Sequence, residues 1–362
     1  MRYKSIIFIV LICLVIPQKG IPADLLQQKE AKFYQKEENG LRCLLCPRKC
    51  LIVESKRGFC AVRQNENGVL YTLSFGRPVS LTENDPIEKK PFFHYLPKSL
   101  TFSVATAGCN FTCKFCQNWE ISQSKPEDLE YIALSPEDLV NRVISSKRNI
   151  IAYTYNEPTI FFEYMLEVAK LAKKKGLINV MHSNGFINEE PLKELVKYMD
   201  AANIDLKAFN DDYYSKLCSG SLAPVLKSLK ILKEAGVHLE VTNLILPGLN
   251  DDTEELSKMC IWIKDNLGAD IPVHFSRFFP SYKLEMLSPT PVKSLERARL
   301  IALDTGLKYV YIGNVSGFDY ENTNCPKCKK ELVKRRGYVV LDNLIKDNAC
   351  PFCGEKIYGK WE

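Results

Sequence analysis

Short apolar runs alternate with amphipathic stretches along the chain from about residue 99 onwards. The apolar runs are rich in β-branched and aromatic residues and predict strands, whereas the amphipathic stretches follow the period of a helix. The predicted strands cover residues 101–106, 150–155, 178–183, 202–206, 237–246, 272–278 and 309–312. The predicted helices start near Ser135 or cover residues 158–175, 189–199, 253–267 and 292–305, and further helices end at Gly236. Six or seven strands that alternate with helices indicate βα units and a parallel sheet.

Polar residues stand within or directly after most of these predicted strands. They are Asn156, Glu157, Ser183, Asn184, Asp205, Lys207, Thr242, Asn243, His274 and Arg277. Chemistry in βα folds gathers at the carboxyl ends of the strands, so we expect these side chains along one rim of the sheet. We also expect Arg277 to share a strand face with His274. Alternatives stay open for single positions: a helix N-terminal acid at Glu157, a simple turn at Asn184, and a core position for His274.

A loop after the first predicted strand carries Cys109, Cys113 and Cys116 in the spacing Cys-x3-Cys-x2-Cys. Three thiolates at this spacing can hold three corners of a 4Fe–4S cluster and leave the fourth iron open to a small molecule. A closed zinc site normally needs two Cys-x2-Cys pairs, and this loop contains one. A zinc knuckle or a ferredoxin-like loop is the alternative interpretation.

Two further groups of cysteines lie outside the predicted βα region. Clustered Cys-x2-Cys pairs in a long chain indicate metal binding in a reducing setting rather than disulfides. The N-terminal group predicts either a structural zinc site or an auxiliary iron–sulfur cluster, and consists of Cys43, Cys46, Cys50 and Cys60. The C-terminal group predicts a zinc ribbon, with rubredoxin-like iron as the alternative, and consists of Cys325, Cys328, Cys350 and Cys353.

Composition adds limits to this picture. The chain has 362 residues, of which 46% are hydrophobic and 25% charged, and this suits one large domain with smaller appendages. The net charge of +6 is mild, and no basic run is interleaved with aromatic residues, so we expect no nucleic-acid partner. A basic start, an apolar run over residues 6–16 and the small Ala23 predict a signal peptide or membrane anchor. Cluster chemistry favours the cytoplasm instead, and the compartment therefore stays open.

The motifs together resemble those of a known family. The cysteine loop, with Phe115 before its third cysteine, resembles the signature of the radical S-adenosylmethionine superfamily. Three further motifs resemble the radical enzymes of the AmmeMemoRadiSam system, which are similar to pyruvate formate-lyase activating enzymes. These are Cys43-x2-Cys-Pro-x2-Cys50, Tyr153-x-Tyr-Asn-Glu-Pro158 and His274-Phe-Ser-Arg-Phe-x-Pro280.

The resemblance implies an α/β fold, namely a partial (β/α)6 TIM-like barrel. We expect a signal or anchor at 1–23, an extension at 24–98 with the cysteine module 43–60, the core at 99–318, and a zinc-ribbon-like module at 319–362. It also implies roles around a 4Fe–4S cluster and S-adenosyl-L-methionine. The cluster ligands would be Cys109, Cys113 and Cys116. The cofactor-binding residues would be Phe115 near adenine, Glu157 at the amino group, Ser183 and Asn184 at the ribose, Asp205 and Lys207 at the carboxylate, and His274.

The implied reaction is reductive cleavage of S-adenosyl-L-methionine to a 5'-deoxyadenosyl radical, which takes hydrogen from an unidentified substrate. The implied partners are an electron donor of the flavodoxin or ferredoxin type, and a protein substrate or Memo-like partner. Radical modification of a small molecule or nucleotide is the alternative among enzymes. A non-catalytic iron–sulfur electron-transfer or metal-binding protein is the alternative outside them, and it does not explain the polar residues at the strand ends.

Overall fold

The computed structural model describes residues 29–315 and 319–362, so the signal-like residues 1–23 lie outside the described part. The chain begins with two small antiparallel sheets, in the orders β1-β6-β5 and β2-β3-β4. Their strands are β1 (Lys29–Glu30), β2 (Tyr34–Glu37), β3 (Gly40–Cys43), β4 (Leu51–Ile52), β5 (Arg63–Glu66) and β6 (Val69–Thr72). Leu41, Ile52 and Leu70 bury their side chains in the main core of the protein. The N-terminal cysteine region is therefore packed against the rest of the molecule.

An eight-stranded sheet forms the centre of the fold, with the strands in sequence order from β7 to β14. The first pair is antiparallel and β8 to β14 are parallel. The strands are β7 (Ser80–Pro86), β8 (Leu100–Ala105), β9 (Ile150–Tyr153), β10 (Ile178–Ser183), β11 (Ala201–Asp205), β12 (His238–Ile245), β13 (Val273–Arg277) and β14 (Val310–Gly313). The predicted parallel α/β sheet is confirmed. Within the residues described, its edge strands β7 and β14 do not pair with each other.

Helices connect the parallel strands. They are α1 (Trp119–Ser122), α2 (Pro136–Ser145), α3 (Phe162–Lys174), α4 (Glu189–Leu195), α5 (Asp211–Tyr213), α6 (Leu222–Glu234), α7 (Thr253–Leu267) and α8 (Val292–Asp304). The predicted start at Ser135 is correct, since the Ser135 hydroxyl accepts the N–H of Asp138 at 3.1 Å and caps α2. A five-residue π-helix, Tyr214–Cys218, follows α5. No helix in the described ranges is both long and apolar enough to cross a membrane.

The core sits between the sheet and its helices. All four residues of β9 are buried, as expected for a parallel strand that is covered on both faces. This explains why β9 reads as a continuous apolar run rather than as an alternating one.

The C-terminal part forms a three-stranded sheet, β15 (Thr323–Asn324), β16 (Glu331–Arg336) and β17 (Val339–Asn343), with its own cluster of buried residues. Arg335 of β16 is buried and donates to the carbonyl oxygen of Phe93 at 2.7 Å. Tyr358 donates its hydroxyl to the carbonyl oxygen of Leu239 in β12 at 3.3 Å. These contacts attach the C-terminal part to the central sheet.

Candidate active site

A cavity of about 370 Å³ lies at the carboxyl ends of the parallel strands. The loops after β8, β9, β10 and β11 contribute to its wall, as do residues within β12 and β13. Every residue expected around the cluster and its ligand lines this one cavity: Cys109, Cys113, Phe115, Cys116, Glu157, Ser183, Asn184, Asp205, Lys207 and His274. Of the ten polar residues expected along this rim, Asn243 and Arg277 do not line the cavity, and the other eight do. Such a volume falls within the range of small-molecule sites.

The cysteine loop is held in place by contacts with distant parts of the chain. The N–H of Thr112 donates to the carbonyl oxygen of Cys218 at 3.0 Å, and the N–H of Lys114 donates to that of Leu217 at 2.9 Å. The N–H of Phe111 lies 3.3 Å from the Cys109 sulfur, a contact that stabilises a thiolate. The π-helix between α5 and α6 therefore holds the cysteine loop in position through its carbonyl oxygens.

The three loop sulfurs are spaced too widely for a single ion. At least one pair of these sulfurs is more than 4.8 Å apart, whereas in the part of the chain that the structure describes the C-terminal cysteines all lie within 4.8 Å of one another. A cube of four irons is larger than one ion, and its cysteine ligands bind different irons. The donor set, three cysteines on a cavity with room beside them, therefore fits a 4Fe–4S cluster with one open iron.

Burial and hydrogen bonding set the protonation of the loop thiols. Burial raises the pKa of Cys109 well above its usual value, and the nearby Glu157 carboxylate adds to this effect. A hydrogen bond from the buried Cys218 thiol lowers the pKa of Cys113. Cluster binding must deprotonate all three ligands, so loading of the site releases protons.

Glu157 ties the ends of two strands together. Its Oε1 accepts the N–H of Thr159 at 2.9 Å and the hydroxyl of Ser183 at 2.7 Å, while Oε2 accepts the N–H of Asn184 at 2.7 Å. Burial raises the pKa of Glu157. Three partners within the chain leave this carboxylate little remaining capacity, so its chief effect is to position the loops after β9 and β10.

Asn184 connects the rim with the cysteine loop. Its Nδ2 donates to the side-chain oxygen of Asn110 at 2.8 Å, and its Oδ1 accepts the N–H of Phe186 at 2.8 Å. Asn110 directly follows Cys109 and donates in turn to the carbonyl oxygen of Phe186 at 2.8 Å. The amide of Asn184 thus fixes the loop as well as facing the cavity.

An ion-paired group forms the charged part of the wall. Asp205 accepts from Lys207 Nζ at 2.8 Å and lies 2.9 Å from His182 Nε2. Burial disfavours the Lys207 ammonium, but the attraction of Asp205 outweighs it and raises the pKa of Lys207 well above its usual value. Burial likewise opposes ionisation of Asp205, yet Lys207 and His182 hold its pKa below the usual range. The wall therefore presents a permanent cation that can bind a carboxylate.

His274 is buried and lies on the same cavity. Its Nε2 lies 2.6 Å from Oε2 of Glu240, and its ring stacks on Tyr311 with centroids 5.1 Å apart. The expectation that Arg277 shares this face is wrong, because residues three apart on a strand point to opposite faces. Ser276 lines the cavity, whereas Arg277 Nε donates to the carbonyl oxygen of Thr290 at 2.8 Å.

Several wall residues were not singled out by the sequence. Tyr155 has a φ of +69°, a left-handed conformation that is uncommon for a bulky residue and often marks a functional site. The backbone at Tyr155 therefore adopts a conformation that glycine favours, although no glycine is present. The Tyr155 hydroxyl donates to Asp85, which is ion-paired with the buried Lys90. Asp85 and Lys90 belong to the segment before β8, and no local pattern marks them.

The other two cysteine groups lie elsewhere. In the C-terminal group the sulfurs of Cys325 and Cys353 are 3.6 Å apart, and those of Cys328 and Cys350 are 3.7 Å apart. Tetrahedral zinc with Zn–S bonds of about 2.3 Å requires a sulfur separation of about 3.8 Å, so this group fits a single metal ion. The N-terminal cysteines line a separate small cavity, and they are Cys43, Cys46, Cys50 and Cys60.

Comparisons with known proteins agree with this site. The profile of the radical SAM superfamily matches residues 103–260, which include the cysteine loop and β9 to β12. An uncharacterised protein of Methanocaldococcus jannaschii is 46% identical over 334 residues, which cover 91% of this chain and 98% of that protein. The pyruvate formate-lyase 1-activating enzyme of Escherichia coli K12 is 22% identical and covers 59% of this chain and 92% of its own. The pyruvate formate-lyase-activating enzyme of Clostridium pasteurianum is 23% identical over 44% of this chain and 67% of its own.

Proposed function

We propose that this chain is an enzyme of the radical SAM superfamily, whose profile matches residues 103–260, and that it cleaves S-adenosyl-L-methionine reductively and takes a hydrogen atom from a protein substrate. We assign it to the radical enzymes of the AmmeMemoRadiSam system. The observation that carries this proposal is the convergence of three cysteines and the polar strand ends on one cavity of about 370 Å³. The motifs at Cys43–Cys50, Tyr153–Pro158 and His274–Pro280 support the narrower assignment.

In this proposal Cys109, Cys113 and Cys116 hold a 4Fe–4S cluster. When bound, the cluster supplies the electron that breaks a carbon–sulfur bond of S-adenosyl-L-methionine and leaves methionine and a 5'-deoxyadenosyl radical. The chain's own contribution is to orient this cofactor and to exclude water from the cavity. The hydrogen bonds from the π-helix and from Asn184 keep the cysteine loop in one conformation, which supports such a role.

The polar wall supplies the remaining contacts. Lys207 binds the methionine carboxylate, because it is a permanent cation that Asp205 holds in position. Phe115 lies beside adenine, and Ser183 and Asn184 face the ribose. Glu157 acts at the amino group, and it also holds Ser183 and the backbone of Asn184 in place through the hydrogen bonds that its oxygens accept. His274 completes the wall at β13.

The parts outside the βα units shape the entrance for the substrate. Lys89 from the segment before β8, and Glu321 and Tyr338 from the C-terminal part, line the same cavity. We propose that a loop of a protein enters there, because the relatives are enzymes named for the activation of another enzyme. A Memo-like protein is the proposed partner, and a flavodoxin or ferredoxin is the proposed electron donor. We also propose that the chain consists of an extension at residues 24–98, the core at 99–318 and a zinc-binding module at 319–362.

The test is formation of 5'-deoxyadenosine from S-adenosyl-L-methionine by anaerobically prepared protein with a strong reductant. The wild type should form the product and Cys113→Ala should not. Cys260→Ala is the matched control, because Cys260 is also a buried cysteine and lies in α7, away from the cavity. Product from the wild type and the control alone supports the proposal. No product from wild-type protein with a fully assembled cluster contradicts it and favours a non-catalytic electron carrier.

A further inference from the structure

The four N-terminal cysteines surround a second cavity, which is separate from the active-site cavity. Cys43, Cys46, Cys50 and Cys60 all line this space of about 20 Å³. The N–H of Cys43 donates to the carbonyl oxygen of Cys50 at 2.9 Å, which closes the loop between β3 and β4. A single water needs about 10–15 Å³, so open space remains between the four sulfurs.

The C-terminal cysteines provide an internal standard for a single-ion site. Their four sulfurs lie within 4.8 Å of one another, and the Cys325–Cys353 and Cys328–Cys350 sulfur separations of 3.6 and 3.7 Å match tetrahedral zinc. Over residues 29–315 and 319–362 no second group of three or more ligands is gathered this closely, so the N-terminal sulfurs are spread more widely. In the same chain, the C-terminal sulfurs are thus close enough to bind one ion, and the N-terminal sulfurs are farther apart. An open cage of four cysteines matches a polynuclear cluster, whose ligands bind different metal atoms.

Donors around the N-terminal cage are suited to sulfur ligands, and that of Arg63 is buried. Arg63 lines the cavity and is about 1% exposed, and its Nε has no hydrogen-bond partner among the described residues. A buried N–H without an acceptor is costly, and cluster sulfur or a ligand thiolate would satisfy it. The N–H of Phe59 lies 3.5 Å from the Cys50 sulfur. Arg48 also lines the cavity.

The cage lies directly behind the active-site cysteine loop. Arg48 Nε donates to the carbonyl oxygen of Asn110, the residue after Cys109, at 2.5 Å. Asn110 itself lines the N-terminal cavity. The carbonyl oxygen of Cys60 approaches Gly108 so closely that a Cβ there would lie 2.6 Å away. The backbones of Cys60 in the cage and Gly108, which precedes Cys109 of the loop, are therefore in direct contact, with no side chain between them.

We propose that Cys43, Cys46, Cys50 and Cys60 ligate a second 4Fe–4S cluster, which passes single electrons from a flavodoxin or ferredoxin to the active site. The assignment of the cluster depends on the geometry of the four cysteines and their surroundings. The electron transfer, in contrast, rests on the proposed function. In each transfer the N-terminal cluster loses one electron and the group at the active site gains it, after which the donor protein reduces the N-terminal cluster again. Zinc in the cage could not do this, because it has no second oxidation state.

The first test counts metals in the full-length protein with Cys109, Cys113 and Cys116 all replaced by alanine. The wild type should contain about eight irons per chain, and the triple variant about four, together with one zinc. Adding Cys43→Ser and Cys46→Ser to the triple variant should reduce the iron to near zero while the zinc stays. A triple variant without iron but with about two zincs overturns the proposal. A wild type with about four irons and two zincs overturns it as well, without reliance on any variant.

The second test addresses the electron transfer. In Cys43→Ser/Cys46→Ser, with the loop cluster assembled, a reduced flavodoxin should reduce that cluster at least tenfold more slowly than in the wild type, as followed by stopped-flow absorbance. Equal rates overturn the relay. A chemical reductant with wild-type protein tests 5'-deoxyadenosine formation independently, so a failure of the proposed function is distinguishable from a failure of the relay.

Discussion

Glu240 is a buried acid in β12 that supports His274 of the active-site wall, and its replacement should lower the stability of the protein. Its carboxylate is fully buried and accepts four hydrogen bonds. Oε1 accepts the N–H of His94 at 2.8 Å and lies 3.0 Å from His238 Nε2. Oε2 accepts the N–H of Phe93 at 3.1 Å and lies 2.6 Å from Nε2 of His274. We therefore expect Glu240→Gln to disturb both the stability of the fold and the position of His274.

The magnitude follows from these contacts. The NH2 group of glutamine must replace one oxygen, so either Phe93 or His94 keeps a buried N–H without an acceptor, at a cost of about 1–3 kcal/mol. The histidine next to the new NH2 group, His238 or His274, can change its tautomer and accept a hydrogen bond from it. The remaining hydrogen bonds then go to a neutral amide oxygen instead of a charged carboxylate. Hydrogen bonds to charged groups contribute about 1.5–3 kcal/mol and neutral ones about 0.5–1.5 kcal/mol. Together these changes should lower the free energy of unfolding by about 3–5 kcal/mol.

Urea denaturation at neutral pH measures this loss. Glu167→Gln is the control, because Glu167 pairs with Lys29 on the surface, where both side chains are 39% exposed, and should change stability by less than about 1 kcal/mol. A Glu240→Gln protein that loses less than about 1 kcal/mol would refute the reasoning.

The difference between wild type and Glu240→Gln should also depend on pH. Burial raises the pKa of Glu240, but the hydrogen bonds from His238 and His274 outweigh it and hold the pKa well below 4.5, the ordinary value. A group whose pKa is lowered by folding stabilises the protein above the unfolded pKa and loses this effect as the pH falls. The difference should therefore be largest above about pH 4.5 and should shrink below it. A difference that grows towards acid would contradict the assignment of a buried carboxylate.

Three further changes test separate parts of the structure. Lys207→Met removes the permanent cation of the wall and should weaken binding of S-adenosyl-L-methionine by roughly tenfold or more in equilibrium dialysis, and unchanged affinity would contradict its role. Gly108→Ala places a Cβ 2.6 Å from the carbonyl oxygen of Cys60 and should lower the iron content. Gly176→Ala is its control, since Gly176 also has a positive φ but no atom within 4 Å of an added Cβ, and equal iron in both variants would refute the contact argument. Cys325→Ser should remove about one zinc per chain and leave the iron unchanged, as measured by elemental analysis.

Much of the fold was predictable because its signals are local. The buried strand β9 is a short apolar run, and the cap at Ser135 precedes Pro136 and two acids. Each of these patterns depends on neighbouring residues alone. The active-site rim was predictable for a related reason. In a parallel sheet all carboxyl ends lie on one side, so polar residues at those ends must come together even when their partners are unknown.

The partners themselves were not predictable, because they depend on strand register and on the path of distant segments. His182 meets Asp205 because β10 and β11 pair with Ser183 beside Ile204, and no feature near His182 indicates this register. Tyr155 meets Asp85 across 70 positions of the sequence. Lys90, buried beside Asp85, belongs to a segment that reads as a plain extension.

The sequence by itself determined the kinds of chemistry available to this protein: three groups of cysteines, a parallel βα sheet and a polar rim. Only the tertiary structure decided how far apart the sulfurs lie and which group is next to which. Cysteine spacing restricts the loop between two ligands, but the distance between sulfurs also depends on the elements that pack around that loop. Packing closes the C-terminal group to the size of one ion, and it holds the N-terminal group open against the back of the active-site loop.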